Sequence, residues 1–67
     1  MKEIEKRKNE DGTYTYWYKN YPFYYDRHKK CWFVITGNYE KNWGIINIKK
    51  YVQDYDYAIR YIDSIAD

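Results

Sequence analysis

The sequence predicts an α+β domain in which a three- to four-stranded antiparallel sheet packs on one C-terminal α-helix. Aromatic and β-branched residues form short runs between residues 13 and 48, turn residues separate the runs, and residues 52–66 carry an apolar stripe of helical period. The 67 residues are enough for one domain. We therefore expect residues 1–67 to form a single domain with a thin core.

The N-terminal twelve residues are polar and end in Asp11-Gly12, a pair that favours a tight turn. This segment is either a frayed tail or a short edge strand within residues 3–8. The charged residues at positions 5–8 suit an edge strand, because charges discourage pairing with other chains. We favour the edge strand.

The runs that favour strands cover residues 13–18, 23–25, 31–36 and 43–48. In the first run, tyrosines alternate with Thr13, Thr15 and Trp17, so that the tyrosines share one face. The third run, CWFVIT, is the most apolar and is expected to be the central strand. Polar segments at residues 26–30 and 37–42 are the expected turns.

The helix is predicted from apolar residues at spacings of three and four, with Asp54 as its N-cap. Asp56 would then lie in the first turn, where a negative charge is favourable. The members of the apolar stripe are Val52, Tyr55, Ile59, Ile62 and Ala66.

One helix can cover only one face of a sheet. If Phe33 and Ile35 face the helix, Trp32 faces away from it, and Trp43 points outward from the last strand. The uncovered face would then carry aromatic side chains with lysines around them. Such a face is expected to bind a partner.

Composition narrows the class of protein. A single cysteine, Cys31, excludes an internal disulfide and favours a reducing, cytoplasmic location. Together with the single histidine, His28, it cannot form a structural zinc site, so we expect no metal and no cofactor. No nucleophile–base pair, phosphate-binding loop, targeting signal or membrane-spanning run is present, so we expect neither an enzyme nor a membrane protein.

Charge is distributed unevenly along the chain. Residues 1–50 carry 11 basic and 6 acidic residues, whereas residues 51–67 carry 1 basic and 4 acidic residues. The sheet is therefore expected to be basic and the helix acidic.

The segment 23–35, FYYDRHKKCWFVI, resembles the first hairpin of an AP2-type DNA-binding domain, with an aromatic strand, a basic turn and a Lys-x-Trp strand. Trp43-Gly44-Ile45 and the helical residues 58–63 fit the rest of that pattern. The order of elements also resembles the arm-type DNA-binding domain of phage and transposon integrases. The resemblance implies a sheet that lies in the major groove with a supporting helix behind it. It places Trp32 and Trp43 where the family's sheet tryptophans touch DNA.

The first functional hypothesis is a nucleic-acid-binding module that lays a basic, aromatic sheet face on duplex DNA. The strand at residues 23–25, which corresponds to the family's first strand, lacks the arginines with which the family reads bases. Contacts to phosphates are therefore expected to dominate. The candidate binding residues are Trp32, Trp43, Tyr24, Arg27, Lys29, Lys30, Lys49 and Lys50.

The alternative is an inhibitor of the anti-CRISPR type, encoded by a phage or mobile element and acting in the bacterial host. It would bind a host nuclease through the aromatic face or the acidic helix. Its basis is the short chain and the Tyr-, Asn-, Lys- and Ile-rich composition, which suits an AT-rich genome. A third possibility is self-association through the aromatic face.

Overall fold

The computed structural model describes residues 3–66, so Met1, Lys2 and Asp67 lie outside the described residues. Its elements are β1 (Glu5–Lys8), β2 (Tyr14–Tyr18), β3 (Tyr21–Asp26), β4 (Cys31–Lys41), β5 (Gly44–Val52) and α1 (Tyr55–Ile65). The strands form one antiparallel sheet in the order β1-β2-β3-β4-β5. The α+β class is as predicted, but the sheet has five strands and not three to four.

The additional strand is β1, which confirms the edge-strand interpretation for residues 5–8. It pairs with β2 from Glu5 opposite Trp17 to Lys8 opposite Tyr14. The turn between them is fixed by Asp11, whose carboxylate accepts hydrogen bonds from the Thr13 backbone N–H at 3.0 Å and hydroxyl at 2.6 Å. The hydrogen bond from the Thr13 hydroxyl is the main cause that lowers the pKa of Asp11.

β4 is longer than predicted because residues 37–41 continue the strand and do not form a turn, and β5 is longer because it continues beyond residue 48 to Val52. A register shift lies between Ile35 and Gly37, after which pairing resumes and runs to Lys41 opposite Gly44. A glycine within a strand commonly marks such a bulge. The turn is therefore limited to Asn42 and Trp43, so Trp43 does not begin the last strand as predicted.

The core lies between α1 and the sheet over β2 to β5. The hydroxyl of Tyr18 donates a hydrogen bond to Asp63 on α1 at 2.7 Å, and the Lys19 ammonium lies 2.8 Å from the same carboxylate. The helix begins as predicted, since the Asp54 side chain accepts from the Tyr57 backbone N–H at 2.8 Å. The buried apolar residues are Tyr18, Phe23, Val34, Val52, Ala58, Ile59 and Ile62.

The expected orientation of β4 is wrong. Val34 is fully buried in the core and Trp32 packs against Tyr55 of α1 at a ring distance of 5.3 Å, so both face the helix. Phe33 and Ile35 therefore face away from it. Residues 31–35 are apolar at every position, so the alternation that normally reveals the buried face is missing here.

An aromatic cluster under the start of α1 leads to a prediction for alkaline stability. The Tyr55 ring lies 5.7 Å from Tyr16 and 5.5 Å from Phe23, and its burial is the main cause that raises the pKa of its phenol above 10.0. The folded state therefore keeps this proton at a pH at which the unfolded state loses it. The stability contributed by the neutral phenol is complete below the ordinary pKa and is lost as the pH rises through the raised value.

We expect Tyr55→Phe to lose less stability than the parent protein between about pH 8 and about pH 11. The measurement is the midpoint of urea unfolding for both proteins at the two pH values. All other tyrosines are common to both proteins, so the difference isolates Tyr55. An equal decline in the two proteins would contradict this account.

Candidate functional site

The face of the sheet opposite α1, called the outer face below, carries a row of three aromatic rings across three neighbouring strands. Tyr24 on β3 is stacked on Phe33 of β4 with ring centroids 5.2 Å apart. Phe33 in turn lies 5.6 Å from Tyr51 of β5. The row exists because the register places Tyr24 opposite Phe33 and Phe33 opposite Tyr51. Tyr51 is exposed and Tyr24 and Phe33 are half-buried, so each of the three residues keeps part of its surface in solvent.

Two lysines lie over this aromatic row. The Lys49 ammonium is 4.9 Å from the centre of the Phe33 ring, and the Lys29 ammonium is 4.2 Å from the centre of the Tyr51 ring. Both distances are within the range of cation–π attraction. The lysines remain exposed, so each can still meet an anion from solvent.

Lys29 reaches the outer face from the turn between β3 and β4, which Asp26 holds in place. The Asp26 carboxylate accepts hydrogen bonds from the backbone N–H groups of His28 at 2.9 Å and Lys29 at 3.1 Å. The bond from Lys29 is the main cause that lowers the pKa of Asp26. Lys30 completes the turn with a left-handed backbone at φ 54°.

A shallow groove of about 360 Å³ runs beside the aromatic row on the outer face. Apolar side chains line one part of it, and the amide side chains of Asn38 and Asn47 lie opposite each other in the register of β4 and β5. Amides offer both donors and acceptors of hydrogen bonds. The apolar lining includes Trp17, Pro22, Tyr24 and Ile35.

The outer face thus combines flat apolar rings, two cations and neutral amides. Rings stack on planar partners, ammonium groups attract phosphate oxygens, and amides can bond the edges of bases. This chemistry fits a ligand with planar rings joined by anionic links.

Three of the eight predicted binding residues come together on the outer face, namely Tyr24, Lys29 and Lys49. Trp32 and Arg27 lie elsewhere, at an aromatic cleft of about 320 Å³ on the helix side of the sheet. The expectation that Trp32 faces away from the helix is therefore wrong.

The remaining three predicted residues are separate from both groups. Lys50 points to the helix side, with its ammonium 5.8 Å from the centre of the Tyr61 ring. Lys30 is exposed in the β3–β4 turn. Trp43 lies at the tip of the β4–β5 hairpin, where it is fully exposed.

Sequence reasoning missed Trp17, Phe33 and Tyr51 as members of this surface. Trp17 could have been found, because strand alternation separates it from the three tyrosines of β2. Phe33 could not, because the uniformly apolar run around it does not reveal which face it takes, and Tyr51 could not, because its position depends on the bulge in β4 and on the full length of β5.

The tip of the β4–β5 hairpin is strained. Asn42 and Trp43 have φ values of 50° and 68°, the pair of left-handed residues that a type I′ turn requires. Asparagine tolerates this conformation, whereas a bulky residue there costs about 1–2 kcal/mol. A fully exposed indole gains little from packing within the chain. Strain of this kind often marks a residue kept for contact with a partner.

We expect Trp43→Gly to stabilise the protein by about 0.5–1 kcal/mol, because glycine relieves the left-handed strain and loses part of that gain through unfolded-state entropy. Urea unfolding measures the change. The matched control is Asn20→Gly at the equivalent position of the Lys19-Asn20 turn, where φ is 67° and asparagine is already tolerated. Its gain should be smaller, and a loss of stability in Trp43→Gly would contradict the expectation.

Within residues 3–66, no group of three or more His, Cys, Asp and Glu side chains is placed to hold a metal ion. The helix in this part of the chain is too short to span a membrane.

No protein-family model, curated protein or solved structure matches this chain.

Proposed function

We propose that this protein binds nucleic acid through the outer face of its sheet. The observation that carries the proposal is the row formed by Tyr24, Phe33 and Tyr51, with the Lys29 and Lys49 ammonium groups 4.2–4.9 Å from ring centres. Alternating aromatic and basic groups are typical of surfaces on which bases stack while the backbone is neutralised.

Unpaired bases suit this surface better than a duplex. A ring can stack on a base only where the face of that base is free, and in a duplex the neighbouring base pairs occupy it. The duplex mode expected from the sequence relied on Trp32, which faces the helix. We therefore propose single-stranded DNA or RNA as the preferred ligand and duplex DNA as the weaker one.

The two lysines supply a salt-dependent part of the affinity. Each phosphate neutralised on a single strand contributes about 0.7 to the slope of log affinity against log salt. Two such contacts predict a loss of about sevenfold in affinity between about 50 mM and about 200 mM salt. The stacking contribution is less dependent on salt, so binding should persist at the higher concentration.

The test is fluorescence anisotropy with a labelled single strand of about ten nucleotides and with a duplex of the same length, each at the two salt concentrations. We expect the single strand to bind more tightly by about tenfold. Equal or tighter binding of the duplex would contradict the preference for unpaired bases. Absence of binding to either ligand at low salt would contradict the proposed function.

Neighbouring lysines on opposite faces provide a matched pair for the same assay. Lys49→Ala should weaken binding to all base sequences and lower the salt slope by about 0.7. Lys50→Ala removes the same charge one residue away, but its side chain lies on the helix side near Tyr61. It should have little effect, and equal losses in both variants would indicate attraction by net charge without a defined site.

A second candidate function is inhibition of a host nuclease by direct protein contact. The observation that favours it is the strained, fully exposed Trp43 at the hairpin tip. Tryptophans that become buried when a complex forms are frequent anchors of protein interfaces. This function predicts a complex with the nuclease that lacks nucleic acid and survives high salt. Trp43→Ala should abolish that complex, and a complex that the substitution leaves intact would contradict the role of the tip.

A further inference from the structure

The two edge strands of the sheet, β1 and β5, differ in charge and therefore in how strongly they discourage pairing with other strands. At one end, all four residues of β1 are charged, and Arg7 pairs with Glu5 at 3.1 Å. Charges on an edge strand prevent other strands from adding to it. At the other end, β5 begins with the uncharged run Gly44-Ile45-Ile46-Asn47-Ile48, and lysines follow only at positions 49 and 50.

The uncharged half of β5 also carries exposed apolar side chains. Ile45 is 69% exposed, Ile46 40% and Ile48 47%, and the neighbouring Tyr39 of β4 is 49% exposed. The hairpin formed by residues 37–48 is called the arm below, and its residues 38–48 are all exposed. At the other end of β5, Val52 is buried in the core under α1. The arm therefore presents a free strand edge and a free apolar side together.

We propose that a second copy of this chain pairs with this edge, β5 against β5, in an antiparallel arrangement centred on Asn47. In this register Ile46 lies opposite Ile48 of the second copy, and the reverse pair forms by symmetry. Lys49 lies opposite Ile45, and Lys50 lies opposite Gly44. The pairing spans seven residues of each strand.

The lysines at positions 49 and 50 favour pairing through the uncharged first half of β5. A register centred on Lys49 or Lys50 would place a lysine directly opposite its own copy, which is unfavourable. Registers centred on Ile46 or Ile48 avoid that contact, but each gives one pair of opposing isoleucines where the Asn47 register gives two. Cross-strand apolar pairs stabilise the pairing of two strands, so the Asn47 register is favoured over the other two.

The symmetry of this pairing has a consequence for the whole surface. The two-fold axis of an antiparallel strand pair is perpendicular to the sheet, so both helices lie on one side and both outer faces on the other. The dimer is a continuous ten-stranded sheet whose two aromatic rows face the same way. Because the interface is small, we expect a dissociation constant of about 10–100 µM.

The first test is sedimentation equilibrium over about a hundredfold range of protein concentration around this value. We expect the mean mass to rise from that of one chain towards that of two. Ile46→Lys combined with Ile48→Lys places charges at both members of the opposing isoleucine pair, and should keep the mass at one chain while circular dichroism shows the fold retained. A single-chain mass for the parent protein throughout, or a dimer that persists in the folded double variant, would overturn the proposal.

Disulfide trapping tests the register. Either kind of antiparallel pair brings the two Cα atoms to about 4.5–5.5 Å, which a disulfide can bridge. In a Cys31→Ser background, Asn47→Cys should therefore form a covalent dimer under mild oxidation. The matched control is Lys8→Cys on the charged edge strand β1, and equal cross-linking of the two variants would contradict pairing at β5. Pairing of β5 with a different extended chain would give no covalent homodimer and would equally overturn the proposal.

Discussion

Replacing Phe33 with alanine is expected to weaken binding of a single-stranded oligonucleotide by about fivefold to 150-fold. Phe33 is the centre of the outer-face row, in contact with both Tyr24 and Tyr51 and with the Lys49 ammonium above it. Stacking of one base on an aromatic side chain is worth about 1–3 kcal/mol by alanine substitution, which corresponds to that range. The measurement is anisotropy at constant salt, under conditions in which circular dichroism shows the variant to be folded.

A pair of adjacent tyrosines separates the loss of a contact from a general loss of structure. Tyr24 lies on the outer face, whereas Tyr25 lies on the helix side, where its ring is 5.5 Å from that of Trp32. Tyr24→Ala should weaken binding as Phe33→Ala does. Tyr25→Ala should leave the affinity nearly unchanged, and the opposite ranking would place the site on the helix side.

Replacing Phe23 with alanine is expected to destabilise the fold by about 3–5 kcal/mol. Phe23 is completely buried, and its ring lies 5.4 Å from Tyr16, 5.5 Å from Tyr55 and 6.0 Å from Trp32. A domain of this length has a total stability of about 3–10 kcal/mol, so the variant should be largely unfolded or close to its unfolding midpoint. Urea unfolding monitored by circular dichroism measures the loss.

The control for Phe23 is Tyr25→Ala, on the same strand and the same side of the sheet. Tyr25 is 48% exposed, so its removal leaves little or no cavity and should cost much less. Phe23→Leu keeps most of the buried volume and should fall between the two. A small loss in Phe23→Ala would mean that the core does not depend on the contact between β3 and α1.

Much of the architecture could be predicted because it follows from local chemistry. The apolar residues at positions 55, 59 and 62 have the spacing of a helix and not that of a strand, and Asp54 caps the helix as expected. The charged residues 5–8 correctly indicated an edge strand. In each case the signal lies within a few residues and does not depend on the rest of the fold.

The positions of the site residues could not be predicted because they depend on pairing between distant strands. The run CWFVIT is almost uniformly apolar, so it does not reveal which residues face the helix, and the predicted face of Trp32 is wrong. The bulge near Gly37 shifts the register between β4 and β5, so the pairs before the bulge cannot be counted from the pairs after it. The predicted last strand ends at residue 48, and only the full length of β5 places Tyr51 beside Phe33.

The most direct test of the proposed interface uses two tryptophans as reporters in a heteronuclear NMR titration. Trp17 lines the groove on the outer face, whereas Trp32 packs against the core on the helix side. On addition of a single-stranded oligonucleotide, we expect the indole N–H signal of Trp17 to shift and that of Trp32 to stay in place. A shift of Trp32 with no change at Trp17 would show that the ligand binds the opposite side of the sheet and would contradict the account.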